Sequence, residues 1–299
     1  MPIPIILKGK LETNCRMSRW IGFDMDECMG SLMPLYPFLT ELPRLVLSVN
    51  PEFDINQLYI TIQQRIIESE IAERTWLLRP ALRTLLDHIY LLYTTKNIDG
   101  VFVFSNNSSP EIVSFTCFLC DGYMWHRNKD NTKPQIFKFG AYLHSPFRQN
   151  YGEKSLREIN NAFKYTGLEI PDPKNIIFFD DQIHILSYEI PNYVHVKPYL
   201  HYTNHGRIIT ELKSLIEFLT PSIYREFTLI CASAYLRDTM ARTSYKIEKQ
   251  NMTEAEDDKV KWITALNTWL GLYNPKIGYD IAAARTKKAR QVSRGIHTR

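Results

Sequence analysis

Two aspartates, Asp24 and Asp26, directly follow the apolar run Trp20–Phe23 in the stretch I-G-F-D-M-D-E-C. If the extended run continues, both side chains fall on the same side of it, because strand side chains alternate with period two. Carboxylates held that close repel each other, and a divalent cation or a shared proton offsets such repulsion. Hard oxygen donors suit magnesium, which takes one or two carboxylates and leaves its other positions to water and phosphate. An isolated D-x-D is also an ordinary solvated turn, so its meaning depends on what the rest of the chain supplies. Three features matter here. Ser105-Asn106 ends the apolar run Val101–Phe104, where a hydroxyl and adjacent backbone N–H groups can hold phosphate oxygens. Lys154 opens the periodic segment Leu156–Phe163, where an ammonium can neutralise both an anionic nucleophile and a phosphate. Asp180-Asp181 closes Ile176–Phe179 with a second acidic pair.

These residues need elements to place them. Val101–Phe104 and Ile176–Phe179 read as strands covered on both faces, with Trp20–Phe23 before them and Tyr193–Val196 after. Leu82, Leu85, Leu86 and Ile89 lie at helical spacing behind Arg79-Pro80, and Ser109 with Pro110 predicts another helix start. Leu156, Ile159 and Phe163 predict a helix that Gly167 ends. Alternation of such units predicts an α/β fold with a mostly parallel central sheet flanked by helices. In open sheets of this kind, ligands bind beyond the carboxyl ends of the strands, where all three acidic or polar clusters fall.

In order, F-D-M-D-E-C, F-S-N, Lys154 and F-F-D-D resemble the four motifs of the haloacid-dehalogenase superfamily of phosphatases. L-L-R-P-A-L-R-T-L-L leading into F-V-F-S-N resembles the small phosphatases that act on the RNA polymerase C-terminal domain. K-S-L-R-E-I-N-N-A-F-K-Y-T-G with I-I-F-F-D-D-Q resembles the eukaryotic magnesium-dependent phosphatase group. The resemblance spans roughly residues 18 to 198. It implies a Rossmann-like three-layer sandwich and hydrolysis of a phosphomonoester on a protein or a small molecule. It also implies a division of roles. Asp24 is the nucleophile that forms an aspartyl-phosphate, and Asp26 is the acid and base. Ser105, Asn106 and Lys154 bind the phosphoryl group. Magnesium is held by Asp24, the Asp26 carbonyl and the Asp180-Asp181 pair, with Asp181 the ligand and Asp180 behind it. Two departures stand out. Cys28 sits where the family usually has Thr or Val, and the next acid after Asp181 is Glu189. Lys138, in Phe137-Lys138-Phe139, competes with Lys154 for the lysine role.

The sequence divides into a core over residues 1–200, with insertions over about 30–75 and 121–152, and a helical C-terminal extension over 201–299. A helix is expected over Ile55–Ala72 within the first insertion, and Ile208, Ile209, Leu212, Leu215 and Ile216 mark one in the extension. The 44% hydrophobic and 23% charged content is ordinary for a globular chain, and the apolar runs are too short to cross a bilayer. Five scattered cysteines and no recognisable signal peptide fit a reducing compartment, hence an intracellular, cytoplasmic or nuclear setting. Cys117-x-x-Cys120 near His126 falls short of the four ligands of structural zinc. A net charge of +4 does not by itself indicate nucleic acid, but the tail from Arg285 to Arg299 is basic without an acid and could contact it. The rival reading is a catalytically inactive scaffold binding protein or nucleic acid. Against it, a scaffold has no need of mutually repelling carboxylates.

Overall fold

The computed structural model describes residues 18–146, 154–199, 204–216, 220–243 and 252–271. The basic tail therefore lies outside the described residues. Five strands, β1 (Trp20–Phe23), β2 (Gly100–Phe104), β3 (Phe137–Ala141), β4 (Ile176–Asp180) and β5 (Asn192–His195), form an all-parallel sheet. Its order is β3-β2-β1-β4-β5. The helices are α1 (Leu42–Val49), α2 (Ile55–Ile71), α3 (Pro80–Thr94), α4 (Pro110–Asn128) and α5 (Leu156–Tyr165), followed by α6 (Leu186–Glu189), α7 (Asn204–Ile216), α8 (Pro221–Thr243) and α9 (Met252–Trp269).

Strand alternation divides the apolar side chains into two cores. Ile21, Phe23, Val101, Val103, Ile177 and Phe179 face one layer, together with residues of α1 to α4 and α7 to α9. Trp20, Phe102, Phe104, Ile176 and Phe178 face the other, with α5 and α6. Both faces are covered, which is why the strands read as unbroken apolar runs. From β1 to β3 the chain steps one way along the sheet with its helices on the first face. It then crosses by α5 on the second face and steps the other way, as crossovers of a single hand require. The second core is aromatic: Phe163 meets Trp20, Phe102 and Phe139 edge-on at 4.8, 5.5 and 5.1 Å. Gly22 makes room for it, since a Cβ there would lie 2.4 Å from the Phe178 ring and 2.5 Å from that of Phe102.

The structure corrects two boundaries. Of the stretch 121–152, the described residues 121–146 belong to the core rather than to an insertion, because residues 121–128 complete α4 and Phe137–Ala141 is the edge strand paired with β2. The polar appearance of this stretch has a local cause. Asp121 is buried inside α4 and its Oδ1 accepts the Ile136 and Phe137 N–H groups at 3.2 Å, anchoring the start of β3. Nor do the described helices after residue 200 form a separate extension, because they share the first core. Trp262 of α9 stacks on Phe179 at 4.8 Å and on Phe23 at 6.2 Å, and Phe227 of α8 meets Phe38 edge-on at 5.0 Å. The chain's early and late halves thus cover the same sheet face.

The excursion between β1 and α3 contains α2 where expected, with Asp54 accepting the Asn56 and Gln57 N–H groups as its cap. It also contains helical turns that the sequence concealed behind prolines. Pro34, Pro37 and Pro43 each sit in the first turn of a successive 3-10, π or α segment between Met33 and Val49. A missing N–H costs nothing at such positions. The excursion returns along a loop held by a buried ion pair. Glu70 accepts from the Arg83 guanidinium at 2.6 Å, from the Thr75 hydroxyl at 2.7 Å and from the Leu77 N–H at 2.8 Å. Leu77 O in turn accepts the Ser31 N–H at 2.8 Å, tying the loop to the segment after β1.

Candidate active site at the carboxyl edge of the sheet

The direction of travel along the sheet reverses between β1 and β4, and the segments leaving those strands diverge there. This is where open α/β sheets form ligand clefts. Asp24 is the first residue past β1, and its N–H still donates to Phe179 O at 2.8 Å, so it is held at the rim as one more rung of the ladder. The chain then turns away through Glu27, whose φ of +62° is left-handed, and Met29 N–H closes the turn onto Met25 O at 2.9 Å. Asp180 is the last residue of β4, and Asp181 follows it.

Lys154 unites these strands. It is 1% exposed, and its Nζ donates to Asp24 Oδ1 at 2.7 Å and to Asp180 Oδ2 at 2.9 Å. Its backbone is placed two residues before α5, with Lys154 O accepting the Leu186 N–H at 3.3 Å. Burial alone would lower the lysine's pKa, but the two carboxylates outweigh it and raise the pKa above its ordinary value. Of the two candidate lysines, only Lys154 joins the carboxylates. Lys138 donates to the Tyr93 hydroxyl and to Gln135 O, and its stem lies over Gly100, at the opposite end of the sheet.

One ammonium does not balance three carboxylates. Asp24, Asp180 and Asp181 are all buried, and one oxygen from each lies within 4.8 Å of the others. Burial, then repulsion from Asp24 and Asp180, pushes the Asp181 carboxyl up to about 9. Asp180 is also raised by burial and by Asp24, with Lys154 pulling against both. Asp181 Oδ1 is buried without a hydrogen-bond partner among the described residues. Three clustered carboxyl groups of this kind could hold a metal ion. The Asp26 side chain is not part of that cluster. It is half-buried, and burial raises its pKa to about 6, against the lowering effect of a hydrogen bond from Asn107.

Ser105 follows β2 and is buried, with its N–H donating to Ala141 O at 2.9 Å and its Oγ accepting the Asn107 N–H at 3.0 Å. Asn106 lies beside it, half-buried. Sequence reasoning passed over Asn107, whose Nδ2 donates to Asp26 Oδ2 at 2.9 Å. A signal for it existed, since Asn107 stands two residues before the helix cap Ser109, a turn position where Asn is favoured. Cys28 packs as a small buried residue whose thiol donates to Phe179 O at 3.3 Å, and burial holds its pKa well above the ordinary value. His195 Nε2 lies 3.0 Å from Asp181 O and so supports the backbone of the acidic pair. Cys117 and Cys120 are buried in α4 among apolar neighbours. No helix among the described residues is long and apolar enough to cross a membrane. Comparison of the chain with protein-family models, with curated proteins and with solved structures found no match.

Proposed function

We propose that this chain is a magnesium-dependent phosphatase that hydrolyses a phosphomonoester through an aspartyl-phosphate on Asp24. The observation that carries this reading is the buried Lys154 ammonium shared by Asp24 and Asp180, beside an Asp181 oxygen without a partner among the described residues. A purely structural cluster would balance its charges. Surplus negative charge at a cleft between diverging strands suits a site that gains a cation and a phosphate together.

Asp24, Asp181 and the Asp26 carbonyl would hold the magnesium, with Asp180 behind them. When bound, the metal supplies positive charge to the nucleophile and the transferring phosphoryl oxygens. The chain's own residues do the rest. Lys154 orients Asp24 through Oδ1 and offsets the charge that would keep a phosphate dianion away. The Ser105 hydroxyl and the Asn106 N–H hold phosphoryl oxygens in line with Asp24. In the first step an Asp24 oxygen forms a bond to phosphorus, the bond to the leaving oxygen breaks, and Asp26 gives that oxygen its proton. In the second step Asp26 takes a proton from water, the water oxygen bonds to phosphorus, and the Asp24–phosphorus bond breaks. A folded-state pKa of about 6 lets Asp26 serve in both directions near neutral pH.

The resemblance to polymerase-tail phosphatases directs the substrate search towards phosphorylated Ser or Thr in proteins, with small phosphorylated metabolites and nucleic-acid 5′ or 3′ phosphates as the other classes. Purified chain with magnesium should release p-nitrophenol from p-nitrophenyl phosphate, stop in EDTA, and lose turnover in Asp24→Asn while keeping its circular dichroism. Absence of turnover on aryl phosphate and on a phosphopeptide panel, with no binding of beryllium fluoride, would sink the proposal and leave the scaffold reading.

A further inference from the structure

We propose that Asn107 is a positioning residue that determines which oxygen of Asp26 carries the transferable proton; this rests on the phosphatase reading above. The orientation of the Asn107 amide is settled by its other partner. Its Oδ1 lies 2.8 Å from the Ser109 N–H. A backbone N–H can only donate, so the atom facing it is the amide oxygen and the atom facing Asp26 is the NH2 group. Asn107 is held further by its own N–H on Ser105 Oγ at 3.0 Å and by its carbonyl, which accepts the Leu143 N–H at 2.9 Å. It therefore presents a fixed donor to Asp26 Oδ2 at 2.9 Å.

A donor at Oδ2 favours that oxygen as the carbonyl of a neutral carboxyl group. In the acid form the proton is therefore on Oδ1, which is buried and has no hydrogen-bond partner among the described residues. Oδ1 is the oxygen left to approach the substrate. In the first step the Oδ1–H bond breaks, its proton joins the leaving oxygen, and the negative charge left on the carboxylate is stabilised at Oδ2 by the Asn107 amide. In the second step a water proton returns to Oδ1 as the water oxygen bonds to phosphorus. The same geometry links the acid to the phosphate loop, because Asn107 touches both Asp26 and Ser105.

The test compares leaving groups. A misplaced acid harms poor leaving groups more than good ones, since only the former need a proton as they depart. Asn107→Asp keeps the acceptor for the Ser109 N–H but removes the amide donor; Asn107→Ala is the second variant. For each, kcat/KM is measured on p-nitrophenyl phosphate and on phenyl phosphate, with magnesium-induced thermal stabilisation as the check on fold and cation binding. The expected result is a larger loss on phenyl phosphate. The ratio of the two kcat/KM values should shift by about tenfold or more, within the roughly 10²–10⁴-fold range of general acid catalysis. Asn107→Gln, which keeps an amide, should recover part of that ratio. Equal losses on both substrates would overturn the proposal while leaving the phosphatase reading intact. A wild-type chain that hydrolyses neither substrate nor a phosphopeptide panel, and binds no beryllium fluoride, would overturn both.

Discussion

Replacing Asp181 by Asn should make the cation-free protein more stable at alkaline pH while removing its response to magnesium. Asp181 is held protonated in the folded chain, to about pH 9, by burial and by the neighbouring Asp24 and Asp180 carboxylates. In the unfolded chain it ionises near the usual carboxylate value. Between those two values the unfolded state binds fewer protons, so stability falls as pH rises. One proton corresponds to at most about 1.4 kcal/mol per pH unit, so the variant should gain about 2–3 kcal/mol on wild type between pH 6 and pH 8. Magnesium at a hundredfold excess over its dissociation constant should restore about 2.7 kcal/mol to the wild type. The variant carries a neutral amide in place of the Asp181 carboxylate and should recover little of it. Urea unfolding at several pH values, in EDTA and in magnesium, measures both effects. Parallel pH dependences of the two proteins, or equal stabilisation by magnesium, would refute the assignment of Asp181 as a strained, cation-seeking carboxyl.

Other perturbations test the scaffold. Lys154→Met leaves Asp24 and Asp180 buried without their shared cation, so it should abolish turnover and cost about 3–5 kcal/mol in denaturant unfolding. Glu70→Gln weakens the hold on the buried Arg83 guanidinium and on the loop against Ser31; the midpoint of unfolding should drop, and Arg83→Met in the same chain should recover part of the loss. Trp262→Ala removes an aromatic side chain stacked on β1 and β4 and should cost about 3–5 kcal/mol. If the helices after residue 200 were a separate unit, this last change would leave the main unfolding transition unmoved.

The strands and their covering helices were legible because a parallel sheet buried on both faces leaves a strong trace, short apolar runs separated by helical spacing. β1, β2 and β4 lie where Trp20–Phe23, Val101–Phe104 and Ile176–Phe179 placed them. Asp24, Ser105, Lys154 and the acidic pair could be found for the same reason, since each follows or precedes such a run. β3 was missed as a sheet strand because an edge strand alternates, and Lys138 and Gly140 dilute the apolar signal of Phe137, Phe139 and Ala141. Asp121 compounded the error, since nothing local distinguishes a buried acid anchoring a strand from a solvated one in a turn. The role of α9 was invisible for another reason. Trp262 meets Phe23 and Phe179 across more than eighty residues of sequence, and no periodicity reports a contact of that range. Asn107 was hidden by its plausibility as an ordinary turn residue.

The stacking of Trp262 on β1 and β4 also sets a timetable for synthesis. Phe23 and Phe179 belong to the strands that carry the carboxylates, yet the ring that covers them is encoded far downstream. At translation rates of about 5–20 residues per second, the interval between Phe179 and Trp262 leaves that face without its last cover for roughly 4–16 s. During that time the nascent chain presents an aromatic surface that chaperones or other nascent chains can bind. A premature stop just after β5 would make that transient exposure permanent. It would yield a chain with every proposed catalytic residue present and a sticky sheet face, prone to aggregate before it could act.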